Sequence, residues 1–496
     1  MRRRHRLSVK LLASAAILAV VPHLVDAADA VKPSVGLVPP REFLALYDID
    51  EQKLATFHDN QPLDAPQREL MLKLLLHLQR YPLTAIDEFS QSPDAVAGIV
   101  GDLNEARGRL FTLTGQVTRV TPIKLDAADA VRLQFGKYYR CRFETKSGQS
   151  AVICTLAVPD GWKRDAAIDH RASARAMFLK LLPRPDSAPN DREAERDAAI
   201  NSDADTVPEG AEATAPVLLF VARRVGWHPD TVLGRLGMDV GLLDDVADRE
   251  GLAERECFYQ LLAAVRRANE TALEQEARDQ LAREATQLRR QADDSKLKPA
   301  QRAAARRALE QAEQGSSDVV PLFNDPTSRR GALVTLRGEA LRAVEVRVDD
   351  PDVVRRFGIR RYYEVEMLTG DSQNNPIVCC VVQLPDGMPL GDNISVGVRV
   401  TGFFLKSWAY RLGRPGQATD RRQLAPLVIA KTLTRLPQPE VIGSGNVVAA
   451  VLAVALLGAL VVVWRLRRAD QRALEAARLA RLELPDRLSF DGLDDA

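Results

Sequence analysis

The sequence predicts an α+β protein with two tandem small β-barrels, each preceded by a short helical segment. A charged helical hairpin and one C-terminal transmembrane helix complete it. Three observations carry this. Residues 331–431 repeat residues 108–223: Gly331-Ala-Leu-Val-Thr-Leu-Arg-Gly338 answers Gly108-Arg-Leu-Phe-Thr-Leu-Thr-Gly115, and Tyr362-Tyr363 answers Tyr138-Tyr139. Pro385-Asp386-Gly387 answers Pro159-Asp160-Gly161, and in both copies 20 residues separate that aspartate from Lys180 or Lys406. Finally, an uncharged apolar run of 18 residues stands at 447–464. A chain of 496 residues has room for this plan, since domains run to about 100–200 residues each.

In chain order, residues 1–30 read as a secretory signal peptide. Met1-Arg-Arg-Arg-His-Arg6 is its basic start, residues 11–21 its apolar core, and Ala27, Ala28 and Ala30 mark small-residue cleavage sites. Residues 43–90 form helical segment 1, where Leu70, Leu72, Leu74, Leu75 and Leu78 follow Asp64 and Pro66, an N-cap and an early helix proline. Residues 228–265 form helical segment 2. Asp248-Arg-Glu-Gly-Leu252 and Arg255-Glu256 there answer Asp59-Asn-Gln-Pro-Leu63 and Arg68-Glu69. The repeating unit is then a helical segment plus a barrel. A unit this long indicates tandem domains, because solenoid periods are about 20–50 residues.

Barrel domain 1 spans 105–227 and barrel domain 2 spans 328–434. Alternating and β-branched stretches predict strands at 110–120, 138–145, 149–158, 174–182 and 216–225. The second copy gives 333–348, 362–368, 377–384, 396–409 and 426–432. A long first strand with an internal glycine, a hairpin at Ser147-Gly148 and an irregular crossing at Pro-Asp-Gly resemble an OB-fold barrel. An SH3-like barrel and a small sandwich are the alternatives.

Two insertions distinguish the copies. Residues 183–214, rich in Asp, Glu, Ala and Pro without an aromatic, predict a disordered acidic loop. The matching loop of copy 2 is basic, with Arg411, Arg414, Arg421 and Arg422 against Asp420. Residues 266–315 predict a helical hairpin or coiled coil. Leu273, Ala277, Leu281, Ala285 and Leu288 share one face amid Glu/Arg pairs. That stripe is thin, so the hairpin packs on itself or joins a second subunit in a homo-oligomer. The transmembrane helix is placed at 446–464, and the tail, 465–496, opens with Arg465, Arg467, Arg468 and Arg472. Positive charge on this side alone puts the tail in the cytoplasm and the bulk outside the cytoplasmic membrane.

Chemistry is scarce. A net charge of +1 provides no global field for nucleic acid. No histidine stands at metal-ligand spacing from another histidine or a cysteine, and no elbow, Walker or dinucleotide motif is present. Neither catalytic residue, cofactor nor metal is assigned. Cys141 and Cys154 are symmetric about Ser147-Gly148, and a two-residue turn there would set them opposite, within reach of a disulfide. In Tyr138-Tyr139 and Tyr362-Tyr363 alternation turns one ring outward, where a base could stack beside Arg140, Arg142, Arg360 and Arg361. An exported, nearly neutral chain favours cross-strand packing of these rings instead. The tyrosines and the four loop arginines are the candidate binding surface. The expected function is a single-pass envelope protein that binds or scaffolds envelope proteins without catalysis. The competing reading is an enzyme or small-molecule sensor with a site between the two modules.

Overall fold

The computed structural model describes residues 36–183, 216–249, 254–411, 422–437 and 444–482. The signal peptide, residues 184–214 of the acidic insertion, Arg414 and Arg421 lie outside that set. Strands are numbered β1–β10, and helices of seven residues or more α1–α8.

All ten strands form: β1 (Leu110–Lys124), β2 (Lys137–Thr145), β3 (Ser150–Thr155), β4 (Ala167–Leu182) and β5 (Val217–Trp227) in the first copy. The second has β6 (Leu333–Arg347), β7 (Arg361–Thr369), β8 (Ile377–Val381), β9 (Val396–Arg411) and β10 (Arg422–Arg435). Each set closes into a barrel in the order first, second, third, fifth, fourth. Antiparallel pairing holds throughout except between β3 and β5, and between β8 and β10. This is the OB-like barrel, built twice.

Closure depends on a bend in the long first strand. β1 shifts register between Val117 and Arg119, and β6 between Ala340 and Arg342, so one strand pairs with two partners in turn. The internal glycine is required at the same point. A Cβ on Gly115 would stand 1.8 Å from the Glu144 carbonyl oxygen, and one on Gly338 2.0 Å from that of Leu368.

Helix α1 (Ala65–Leu78) and the shorter α2 (Leu83–Phe89) belong to module 1. α3 (Ala127–Leu133) links β1 to β2. Their counterparts in module 2 are α4 (Arg255–Arg267) and, after β6, α7 (Pro351–Phe357). Asp64 caps α1 through Gln67 N–H at 2.8 Å, as the sequence predicts. Leu70, Met71, Leu74 and Leu75 then pack on the outer face of barrel 1, against Tyr138, Val152, Cys154, Leu219 and Val221. In module 2, Phe258, Leu261, Leu262 and Val265 of α4 cover Tyr362, Val378, Cys380, Leu427 and Ile429. Strands β3 and β8 are therefore buried on both faces.

The same polar contacts fasten both helical segments. Asp59 accepts the Leu181 N–H at 2.8 Å and pairs with Arg107 at 2.6 Å. Asp248 accepts the Ser407 N–H at 2.9 Å and pairs with Arg330 at 2.6 Å. Asn60 and Arg249, each with left-handed φ, donate back to the carbonyls of Leu181 and Ser407. Glu69 meets Arg132 at 2.8 Å, and Glu256 meets Arg356 at 2.7 Å. Even the cationic reach to the end of the helical segment recurs, Arg223 to the Tyr81 carbonyl and Lys431 to that of Ala268.

At the buried lysine the two copies differ in the partner they provide. Lys180 and Lys406 are wholly buried. Lys180 donates to the Gln67 amide oxygen at 2.8 Å, whereas Lys406 meets the Glu254 carboxylate at 3.0 Å. Removing one partner of a buried ion pair strands the other charge, at a cost of about 3–5 kcal/mol. Lys406→Met should therefore lower stability to urea by about that much, and Lys406→Met/Glu254→Gln should recover most of it. Equal losses in the two variants would show that the pair carries no such coupling.

A second compact unit, residues 437–496, contains α8 (Ser444–Leu482). Within it Ala450–Ala476 is long and apolar enough to cross a membrane. Trp464 and Arg468 stack there, with the guanidinium 4.6 Å from the ring centre.

Candidate functional site: covered barrel faces and a basic hairpin tip

OB-like barrels take nucleic acid and sugars on the face of their second and third strands and on the loops beside it. Here that face is occupied by the chain itself. Tyr138 and Tyr362 point outward, as alternation requires, but lie beneath α1 and α4 with 2% and 3% of their surface exposed. The rings of Phe258 and Tyr362 meet edge to face at 5.4 Å. Tyr139 turns inward and is buried, with the Arg164 guanidinium over its ring at 5.3 Å. Tyr363 is half-buried and donates to Glu345 at 3.3 Å. Tyr138, Tyr139 and Tyr362 therefore offer no free face for a base. Arg411 and Arg422 pair as neighbours at the ends of β9 and β10; the other two loop arginines lie outside the described residues.

The possible Cys141–Cys154 bridge does not form, and both thiols are buried in the barrel wall. Cys141 is opposite Ile153, and Cys154 opposite Arg140, so the two thiols face different sides of the sheet. The reason is the turn. Thr145 N–H bonds to the Gln149 carbonyl around a three-residue loop ending in Gly148 at φ +79°. That loop shifts the register by one residue from the two-residue turn, which exchanges the faces. All five cysteines are buried free thiols.

Between the modules, charged groups converge and consume one another. Arg356 of α7, 5% exposed along its side chain, binds both Glu256 oxygens at 2.7 Å and Asp87 of α2 at 2.8 Å. Arg175 of β4 lies 3.0 Å from the other Asp87 oxygen. This cluster joins module 1 to module 2 and leaves its carboxylates paired.

Spacing gave no hint of one further constellation. Ser173 Oγ lies 2.7 Å from His228 Nε2, and His228 Nδ1 lies 2.9 Å from the Met238 carbonyl. A proton on Nδ1 satisfies both contacts, with the serine hydroxyl as the second donor. Burial lowers the histidine pKa and keeps the ring neutral. Asp239 beside it accepts the backbone N–H groups of Trp227 and Gly241. Together these contacts fold the connection between the modules onto the end of β5. Copy 2 has Arg399 and Leu436 at the matching positions, with the same backbone bond from Leu436 to Gly397.

The hairpin is built differently. α5 (Glu270–Asp293) buries Leu273 and Ala277 against barrel 2, and α6 (Pro299–Glu313) returns alongside it. Arg289 and Glu313 bridge the two helices at 2.7 Å. Ala285 and Leu288 are only partly buried, because α6 offers them little more than alanines. Along the outer side of α6 runs a shallow groove of about 390 Å³ between Arg302, Arg306, Arg307 and Glu310. Among the described residues, Arg290, Lys296, Lys298, Arg302 and Arg306 make no ion pair. The hairpin tip thus carries a local cluster of five cations without ion-pair partners, beside Asp293 and Asp294.

Also among the described residues, no group of three or more His, Cys, Asp or Glu is placed to hold a metal ion. Compared with known protein families and with characterised proteins, the chain matches none.

One buried carboxyl titrates in the neutral range. Glu364, 2% exposed on the covered face of β7, is raised to about 7, first by burial, with Arg342 opposing. Cys380, Glu366 and the Tyr362 hydroxyl are its neighbours. The folded protein holds this proton more tightly than the unfolded chain, so the contribution of this carboxyl to stability is fully present below pH 4.5 and falls away as pH rises to 7. Glu364→Gln should remove that fall and stabilise the protein at pH 8 by up to about 3 kcal/mol. Parallel stability–pH curves for the variant and the wild type would contradict it.

Proposed function

We propose that the chain is a single-pass envelope protein that binds other envelope proteins and performs no catalysis. Its two barrels are rigid platforms outside the cytoplasmic membrane, held there by α8, with the arginine-rich end of that helix inside. The observation that carries this reading is the covering of both barrel faces by α1 and α4. A substrate groove on these barrels would need that surface, and both modules fill it with their own apolar side chains. The charges at the module junction are spent on one another, which disfavours a sensor or enzyme site there. What remains exposed and chemically distinctive is the hairpin, a coiled-coil-like arm suited to contact with another polypeptide.

The test is cross-linking in intact membranes followed by recovery through a C-terminal tag. Stoichiometric recovery of one or a few envelope proteins is the expected result. Recovery of none, with a small molecule retained on the purified chain, would overturn the reading in favour of a sensor or enzyme.

A further inference from the structure

The unpaired charges of the hairpin are sorted along its length. Arg290, Lys296, Lys298, Arg302 and Arg306 all fall within about two helical turns of the tip, where α5 ends and α6 begins. Asp293 and Asp294 stand among them, and five cations against two carboxylates leave the tip net positive. The other carboxylates of the hairpin without an ion-pair partner among the described residues, Glu270, Asp279, Glu284 and Glu310, lie farther along the chain from it. Glu284 and Asp279 are held only by glutamines one turn away, at 2.9 Å each. At the module junction and under both helical segments the charges are paired. The hairpin instead has a net positive tip and unpaired carboxylates along its flank.

A surface of this kind complements itself when turned end for end. We propose that the hairpin pairs antiparallel with the hairpin of a second copy of this chain, about a two-fold axis across the helices. The basic tip of each copy then lies on the acidic flank of the other. This rests on the binding role proposed above and names one partner for it. A two-fold axis makes the contact closed, so pairing stops at a dimer. The parallel arrangement would place tip on tip, net positive against net positive, and is disfavoured. The groove between Arg302, Arg306 and Glu310 of α6 is where the opposing helix sits. Exposed ion pairs are individually weak and weaken with salt. Several together fix the register and exclude wrong partners more than they add affinity. Anchoring by α8 in a shared bilayer raises the local concentration, which compensates for modest affinity.

Charge reversal tests this with the full chain in nanodiscs or detergent, by sedimentation. One variant reverses the tip, Arg302→Glu/Arg306→Glu, and another reverses the flank, Asp279→Lys/Glu310→Lys. All four positions are on a surface hairpin, and unchanged melting curves will confirm that both variants fold. The wild type is expected to dimerise, more weakly as salt rises. Each variant alone should dimerise at least tenfold more weakly, and an equimolar mixture of the two should regain the wild-type dissociation constant. Carbodiimide coupling of a ¹⁴N/¹⁵N mixture should join Lys296 or Lys298 to Glu270, Asp279, Glu284 or Glu310 in peptides of mixed label. A wild type that stays monomeric, a mixture no tighter than either variant, or lysines coupled only to a different polypeptide would overturn the proposal. Any of these results leaves the recovery of another envelope protein unaffected, so failure of the pairing and failure of the binding role are separable.

Discussion

Asp59 and Asp248 organise the protein. Each carboxylate does two things at once: it accepts the amide of a residue at the far end of its barrel's fourth strand, and it binds an arginine placed just before the first strand. Three segments of chain meet at each of these points. A carboxylate so placed is charge-assisted on both sides, and the hydrogen bonds are stronger than neutral ones. Losing it would leave a buried amide and a largely buried guanidinium without their acceptor, a larger penalty than the bonds themselves contribute. Because the arrangement recurs with the same atoms and nearly the same distances, the repeating unit is helical segment and barrel together.

From that constraint the rest follows. Once the segment is fastened, α1 and α4 lie over the second, third and fifth strands, and those strands bury both faces. Apolar burial at about 25 cal/mol per Å² then makes the covering helix a large part of each module's stability. The same burial removes the surface that OB-like barrels use for ligands. The hairpin, added between the repeated units, lies outside this covered surface and carries a cluster of cations without ion-pair partners at its tip. The copies differ both at the connection and within the module. Ser173 with His228 against Arg399 with Leu436 marks where module 1 continues into module 2, whereas Gln67 against Glu254 differs inside the module, at the buried lysine.

Much of this was legible in the sequence, and the failures have specific causes. Period-two alternation and the paired glycines located all ten strands, because Gly115 and Gly338 are forced by backbone contact in a closed barrel. The echo around Asp59 and Asp248 was visible as a pattern. Its meaning was not, since Asp59 acts on an amide 122 residues away. Alternation correctly sent Tyr138 and Tyr362 outward but is silent on what covers them. The signal was present in Ala151-Val-Ile-Cys154 and Ile377-Val-Cys-Cys-Val381, unbroken apolar runs of the kind that mark a strand buried on both sides. The cysteine register failed on one residue, because the left-handed Gly148 lengthens the turn. Ser173 and His228, 55 residues apart, meet only through barrel closure.

Hydrogen exchange on an Asp248→Ala chain tests the central claim most directly. If the aspartate makes helical segment and barrel one unit, exchange should quicken together in α4 and at the end of β9 around Lys406 and Ser407. In the same chain α1 should keep its wild-type protection. Faster exchange in α4 with β9 unchanged, or an even rise across both modules, would contradict the account.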